Sequence, residues 1–410
     1  MFTPPPPTPD LAPKVGDRIE KTTCYMCACR CGIDVHLKEG RVAHIEGNRD
    51  HPKNRGVLCA KGSAGVMQHL SPARLRAPMK RVGPRGSGAF AEITWAEALE
   101  TAVAWLKPVR AADPKKLAFF TGRDQSQALT GWFAQQFGTP NFAAHGGFCS
   151  VNMAAAGITT LGGAFWEFGA PDWERAEILL LFGVAEDHDS NPIKMGLSRL
   201  KARGAKIVAI NPVRTGYNAV ADEWVGITPG TDGLFALSLA YALVEAGRID
   251  VDYLRRYTDA AWLVIEAPGA PDHGLIARDA DGGPLARDRR TGAAVSAADR
   301  DARPDLRRAA TLPDGRAARP VFAHLLETVL RPEHAPERAE AICGIPAATI
   351  RRLAAELAEA AFEREVVLDQ PWTDWRGERH ERMVGRPVAM HAMRGISAHS
   401  NGFQTCRAIH

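Results

Sequence analysis

Cys24-Tyr25-Met26-Cys27-Ala28-Cys29-Arg30-Cys31, followed well downstream by Cys59-Ala60-Lys61-Gly62, is the stretch that decides how the rest of the chain is read. Cys24, Cys27 and Cys31 stand two and three residues apart, and Cys59 is remote from all three. Three close thiolates and one distant thiolate can close the four-cornered site that a cubane iron–sulfur cluster needs. Structural zinc is the competing reading. It usually takes its ligands as two close pairs, and Cys59 has no close cysteine or histidine partner in the sequence. Cys29 is a fifth candidate that blurs the register. Spacing favours the cluster and leaves zinc open.

With 410 residues, 45% of them hydrophobic, the chain can bury a large core and should hold two or three domains. The charged fraction is 24% and the formal net charge is +4, so no polyanion-binding bias shows and nucleic acid is not indicated. The opening Met-Phe-Thr-Pro-Pro-Pro-Pro lacks a basic region, an apolar run and a twin arginine, and reads as a disordered or polyproline leader, not an export signal. No apolar run is long enough to span a bilayer. Of eight cysteines, five cluster early, which suits metal or thiol chemistry rather than a disulfide framework. A cytoplasmic location is the expectation, with any membrane contact made through partners.

Along the chain, Ile33, Val35 and Leu37 alternate with polar residues, as do Val42, Ala43 and Ile45, and Lys38-Glu39-Gly40-Arg41 joins the two runs as a hairpin would. Thr94 and Glu97 have capping-box spacing, and Trp95, Ala98, Leu99, Ala102 and Leu106 line one helical face. Ile178-Leu179-Leu180-Leu181-Phe182 is a wholly apolar run of the kind found in strands buried on both faces. Asn191 and Pro192 open a helix that Gly204 stops, with Ile193, Leu197 and Leu200 on its core side. Ile207-Val208-Ala209-Ile210 then returns as the next strand of a βαβ unit. Pro229-Gly230-Thr231-Asp232 caps a helix that is apolar nearly all round. Residues 268–318 are dense in Asp, Arg, Gly and Pro and read as an exposed insertion with hairpins at most. A helix carrying Ile350, Leu353, Leu357 and Ala361 follows. The chain stops in what reads as the opening of another helix, so the sequence is expected to be shorter than the whole protein.

Several residues carry possible chemistry, each beside a plainer alternative. Lys61 is either a cation placed beside an anionic cluster or an ordinary surface lysine. Cys149 follows Gly146-Gly147-Phe148 and is read as opening a helical stretch, where a thiolate of depressed pKa can ligate a metal or attack an electrophile; packing is the alternative. Cys343 and Cys406 are assigned to packing. The turn at 183–190, with Glu186 and Asp187, and the turn at 211–215, with Asn211 and Arg214, leave the carboxyl ends of strands, where doubly wound sheets bind nucleotides. Thr231 and Asp232 are grouped with them, and acidic turns suit the donors of a guanine base. No Gly-x-Gly-x-x-Gly and no phosphate loop is present. His391, Arg394 and His399 mix with hydroxyl residues and glycine in a stretch that could line a pocket for a small oxyanion or form a solvated loop.

In this order, the features resemble the molybdopterin oxidoreductases of the dimethyl-sulfoxide-reductase class. The resemblance rests on Cys59-Ala60-Lys61-Gly62, the stretch from Ser71 to Gly83, the Asn211-Pro212 turn and Pro229-Gly230-Thr231-Asp232. Within that class the chain is most similar to catalytic subunits of cytoplasmic, quinone-linked sulfite dehydrogenases, through the wording from Gly146 to Met153, Phe182 to Pro192 and Ala392 to Gly402. The resemblance implies a 4Fe–4S cluster on Cys24, Cys27, Cys31 and Cys59, with Lys61 toward the pterin. It also implies a molybdenum bis(molybdopterin guanine dinucleotide) with Cys149 as protein ligand to the metal. Glu186, Asp187, Asn211, Arg214, Thr231 and Asp232 would contact the cofactor, and Arg394 and His399 the substrate anion. The implied reaction is oxygen-atom transfer to sulfite, with electrons leaving through the cluster to a ferredoxin-like iron–sulfur subunit, a membrane anchor and quinone. A thiosulfate-, polysulfide- or tetrathionate-type reductase is the enzymatic alternative, and a non-catalytic iron–sulfur electron-transfer subunit the other. Expected domains are a small β-rich cluster module over 1–80, an α/β domain built from 81–147 and 365–410, and a Rossmann-like α/β domain over 148–364. The class continues into further α/β sequence and a β-barrel, both missing from this chain.

Overall fold

In the computed structural model, the alternating apolar residues around position 40 form the expected hairpin. Strand β1 (Arg18–Thr23) pairs antiparallel with β2 (Gly32–Lys38), which pairs with β3 (Arg41–Gly47). Glu39 and Gly40 have φ of 52° and 74°, the left-handed pair that matches strand twist in a two-residue turn. The structure describes residues 15–27, 29–122, 127–164, 170–184, 191–214, 216–392 and 394–410, with the backbone alone for Gln127, Phe148, Cys149, Asn191 and Arg394. The Pro-rich leader lies outside them. The chain divides into two compact units, residues 1–151 with 186–198, and residues 152–185 with 199–410.

In the first unit, two short helices, α1 (Ala60–Ser63) and α2 (Gly65–Leu70), follow the three strands. A hairpin of β4 (Met79–Arg81) and β5 (Phe90–Glu92) leads into α3 (Trp95–Ala112). Half of the expected capping box forms. The Thr94 hydroxyl accepts the Glu97 N–H at 3.1 Å, but the Glu97 carboxylate turns to Lys80 Nζ instead of the cap. The apolar face of α3 is present but unburied, with Trp95 70% and Leu99 62% exposed. Strands β6 (Phe119–Thr121) and β7 (Phe142–Ala144) pair in parallel around α4 (Gln127–Phe137), and α5 (His145–Cys149) follows.

The second unit is organised on a parallel sheet. After α6 (Val151–Leu161) come β8 (Ile178–Phe182), α7 (Asn191–Ala202), β9 (Lys206–Ile210) and β10 (Glu223–Val225). Every residue of β8 is buried, as its composition requires of a central strand. Helix α8 (Asp232–Glu245) buries one stripe rather than its whole surface, and its expected cap is corrected: the Thr231 hydroxyl donates back to the Thr228 carbonyl at 2.7 Å instead of capping the helix.

Residues 268–318 are more ordered than their composition suggests. Between α9 (Val251–Tyr257) and α10 (Val321–Val329), β11 (Leu263–Glu266) pairs with β15 (Ala317–Pro320), β12 (Leu285–Arg287) with β13 (Ala294–Ser296), and β14 (Ala310–Thr311) with β15. The hairpins enclose two small cores, one around Leu263, Leu285 and Leu312, the other around Ala286, Leu306 and Phe322. Spaced leucines and alanines close them, without the periodicity of a long element.

Helices α11 (Pro336–Cys343) and α12 (Ala347–Glu363) precede a run of short strands, β16 (Val366–Leu368), β17 (Trp372–Thr373), β18 (Arg379–His380) and β19 (Met383–Gly385). Then β20 (Val388–Ala392) adds in parallel to β8, giving the order β10-β9-β8-β20, and α13 (Gly402–Ile409) ends the described chain. Residues 365–410 fall within the second compact unit. One continuous core joins Leu180, Phe182, Val208, Phe235, Ile350, Leu353, Ile396 and Cys406, and Cys343 and Cys406 pack within it as expected. Among the described residues no helix is long and apolar enough to cross a membrane.

Two substitutions separate core from unpartnered surface. Phe235, fully buried against Phe182, should cost about 3–5 kcal/mol as Phe235→Ala, whereas Leu99→Ser should cost under about 0.5 kcal/mol; denaturant unfolding of the two variants checks this.

Candidate functional site

The cysteine loop is held from both sides. Cys24 and Cys31 are buried with Ile33, and Cys29, Val35, Ile45 and Leu58 pack against them. The Cys24 N–H donates to the Cys31 carbonyl at 2.7 Å, closing the loop, and Arg30 takes φ of 50° to make the turn. Asn54, which sequence reasoning missed, is fully buried. Its Oδ1 accepts the Gly32 N–H at 2.8 Å, and its Nδ2 donates to the carbonyls of Gly32 and Val57, both at 3.0 Å. It ties the segment after Cys31 to the segment before Cys59. Glycines permit the closeness: a Cβ on Gly32 would strike the His51 ring, and one on Gly62 the Leu58 side chain.

Cys59 caps α1 with extended backbone, and Lys61, partly buried, lies in the same single turn. No three of the described cysteine sulfurs gather within 4.8 Å. Tetrahedral zinc with Zn–S bonds of about 2.3 Å would bring its sulfurs to about 3.8 Å of one another. Cys29 is distinguished chemically. Burial, then the Cys27 charge and a hydrogen bond shared with Cys27, push its thiol up to about 12.

In the second unit, the turns at the carboxyl ends of the parallel strands take the position of the crevice in which open α/β sheets bind ligands. Its switch point lies between β8 and β20, which leave the sheet centre in opposite directions of chain order. There Gly183, at φ 63°, comes so close to Ile396 that a Cβ would sit 3.3 Å from its Cγ2. Asn211 is buried at the end of β9, donating to the Val184 carbonyl at 3.0 Å and receiving Trp224 Nε1–H on its own carbonyl at 3.0 Å. Arg214 is exposed on the following turn. The Pro-Gly-Thr-Asp turn meets the segment after β20: Asn401 Nδ2 donates to the Gly230 carbonyl at 3.0 Å, and His399 lies against Gly230. Burial raises the Asp232 carboxyl above the usual carboxylate range, against the opposing pull of its own N–H and the His399 charge. A buried carboxylate at this edge suits a ligand that offers N–H donors.

Asn211, Thr231, Asp232 and His399 are thus brought together around one sheet edge. Glu186 and Asp187 lie outside the described residues, as do the side chains of Cys149 and Arg394. The backbone at Cys149 corrects one expectation. Cys149 closes the short helix α5, Ser150 breaks the chain direction, and α6 starts only at Val151, so the argument from a helix start does not apply. His391 is also placed differently from expectation. It lies within β20 with its ring edge-on to Trp173 at 6.2 Å, and burial pushes its pKa down, so it supplies no positive charge at neutral pH.

The comparisons with known proteins agree with this layout. Residues 17–70 match the molybdopterin oxidoreductase Fe4S4 domain and residues 74–410 the molybdopterin oxidoreductase family. The chain belongs to the molybdopterin oxidoreductases. It is 52% identical over 402 residues to a sulfite dehydrogenase subunit of Allochromatium vinosum, covering 95% of this chain and 41% of that protein. It is 30% identical to the molybdopterin-containing subunit of thiosulfate reductase of Salmonella typhimurium, over 57% of this chain and 31% of that one. The fold is similar to acetylene hydratase from Pelobacter acetylenicus, with a TM-score of 0.63 at 18% identity, over 95% of this chain and 42% of that one. The chain spans less than half the length of these relatives. The described residues fit the family's groups: four separated thiols for the 4Fe–4S cluster, and a strand-end crevice with a buried carboxylate for the pterin cofactor.

Two measurements check the site. Asn54→Ala should cost about 2–3 kcal/mol, because three backbone groups lose a buried partner, and should lower iron bound per chain after reconstitution. Asp232→Asn should raise the melting temperature of the cofactor-free chain at pH 7. Ionisation of a group whose folded pKa is raised opposes folding, so the gain should vanish as pH falls below the usual carboxylate value of 3.8.

Proposed function

We propose that this chain is part of the catalytic subunit of a sulfite dehydrogenase that oxidises sulfite to sulfate. The observation that carries the reading is the 52% identity to the Allochromatium sulfite dehydrogenase across 95% of the chain, cluster module and crevice included. Thiosulfate reductase, at 30% over 57%, is the weaker alternative. When bound, the molybdenum cofactor supplies oxygen-atom transfer and two-electron oxidation, and the 4Fe–4S cluster supplies a one-electron outlet.

The chain's residues take these roles. Cys24, Cys27, Cys31 and Cys59 hold the cluster, with Lys61 as a nearby cation that favours its anionic state. Cys149 is the protein ligand to molybdenum. The cofactor is the bis(molybdopterin guanine dinucleotide) form. Asp232, with Glu186 and Asp187, accepts hydrogen bonds from guanine N–H groups, while Asn211 and Thr231 shape the turns and Arg214 meets phosphate charge. Support for the guanine form comes from Asp232, a carboxylate whose burial a donor-rich base would offset. Arg394 and His399 attract and orient the sulfite oxyanion by charge-assisted hydrogen bonds. Electrons pass to a ferredoxin-like iron–sulfur subunit, and a membrane-anchor subunit carries them to quinone at the cytoplasmic face. The Allochromatium relative is named as one subunit of its enzyme, which supports partners of this kind.

Metal analysis and one variant of the full-length holoenzyme test the reading. About four irons in this cluster with molybdenum present, and sulfite-dependent reduction of an acceptor dye, are expected. Cys149→Ala should lower sulfite oxidation more than about 100-fold while the iron content stays unchanged. Undiminished sulfite oxidation would remove Cys149 from the metal, and iron without molybdenum would leave an electron-transfer protein.

A further inference from the structure

Several arginines of the second unit are each held by two carboxylates: Arg316 takes Asp272 and Asp314, Arg319 takes Glu266 and Glu327, Arg351 takes Glu245 and Glu337, and Arg364 takes Glu177 and Glu359. One cleft gathers arginines that are not held in this way. A cavity of about 380 Å³ between α9, the β12–β13 turn and the loop before β14 is lined by Arg255, Arg289, Arg307 and Arg308. Among the described residues, no carboxylate pairs with the guanidinium groups of Arg289, Arg307 or Arg308. Arg255 reaches only the exposed Asp252, at 3.5 Å, and its Nε is sealed from solvent without a partner.

The single carboxylate lining the cavity, Asp305, is already occupied. It accepts from Arg287 Nη1 at 3.1 Å and from the N–H groups of Arg307 and Arg308 at 2.9 and 3.2 Å. Burial acts to raise its pKa, and these N–H groups with the Arg287 and Arg308 charges outweigh that and hold it low, so it stays ionised and engaged. Four arginines thus line one concavity, Arg289, Arg307 and Arg308 of them exposed, and its one lining carboxylate already accepts from Arg287 and from two backbone N–H groups. The buried side chains of Leu306 and Phe322 complete the lining, and apolar walls strengthen the field of the charges around them. The fork geometry of guanidinium matches tetrahedral oxyanions by paired N–H···O bonds.

We propose that this cleft is a binding site for a doubly charged tetrahedral oxyanion of the phosphate or sulfate class, either free or as the terminal group of a larger molecule. It is separate from the crevice at the sheet's carboxyl edge, being built from the insertion and α9. Its ligand relieves the mutual repulsion of the four cations. The volume leaves room for more than one such group.

Calorimetric titration of the protein with inorganic phosphate and with pyrophosphate, against chloride at equal ionic strength, tests the site. Saturable binding is expected, weakened about tenfold or more by the double change Arg307→Ala and Arg308→Ala. Tighter binding of pyrophosphate would mark the terminal-group source, and equal binding the free ion. The exposed Arg331 and Arg338, likewise without a carboxylate partner among the described residues, provide the control, and their replacement by alanine should leave binding unchanged. The proposal is overturned if heat follows ionic strength alone, if the double variant binds as well as the parent with unaltered circular dichroism, or if the control weakens binding equally.

Discussion

Strand β8 cannot occupy the edge of a sheet. All five of its residues are apolar and all five are buried, so it needs a hydrogen-bonded neighbour on each side and side-chain cover on each face. Pairing with β9 on one side and β20 on the other meets the first demand. The core that joins Leu180 and Phe182 to α8, α12 and α13 meets the second on one face, and Leu179 and Leu181 are equally buried on the other. The placing of the site residues follows from this arrangement. Once β9 and β20 flank β8 in parallel, the turns that leave their carboxyl ends diverge. Asn211 and His399 lie at the same end of the sheet because its topology collects them, although they are far apart in sequence.

The cluster module solves a different problem with few residues. It has little apolar mass, so close backbone approach and buried hydrogen bonds replace volume. Gly47 and Gly56 approach so nearly that a Cβ on Gly47 would strike the Gly56 carbonyl. Asn54 then spends both amide donors and an acceptor site on two separate segments. The result presents Cys24 and Cys31 from within and Cys59 from the start of a helix.

Much of this was legible in the sequence, for identifiable reasons. Strong local signals carried over: the apolar run of β8, the Glu39-Gly40 turn, the Gly204 stop and the spacing of the cysteines. What escaped depended on partners distant in the chain. Nothing local marks Asn54 as a clamp, since its partners are backbone groups on either side of a loop. Thr231 has the composition of a cap but bonds backward to Thr228, because the turn before α8 needs that hydroxyl more than the helix does. Glu97 has capping-box spacing, yet Lys80 offers it a full charge. The stripe on α3 correctly gave a helix and its apolar face; periodicity says nothing of what covers such a face, and among the described residues α3 buries no residue. In residues 268–318 the expected hairpins are present, and what the sequence did not show is the pair of small cores they enclose. Small cores closed by alanine and isolated leucine leave no period to find.

Charge pairing shows a further limit of composition. A formal balance of +4 over 410 residues gave no sign of local imbalance, because paired and unpaired arginines count alike. In the folded chain they are physically different. An arginine held between two carboxylates, such as Arg316 or Arg351, is neutralised and contributes mainly to local order. A buried carboxylate with raised pKa at a strand end, and guanidinium groups that share a cleft with one engaged aspartate, are left with interaction energy unspent. Such groups oppose folding slightly when no ligand is present, and ligand binding reverses that sign. At both places binding would therefore recover free energy that folding alone does not.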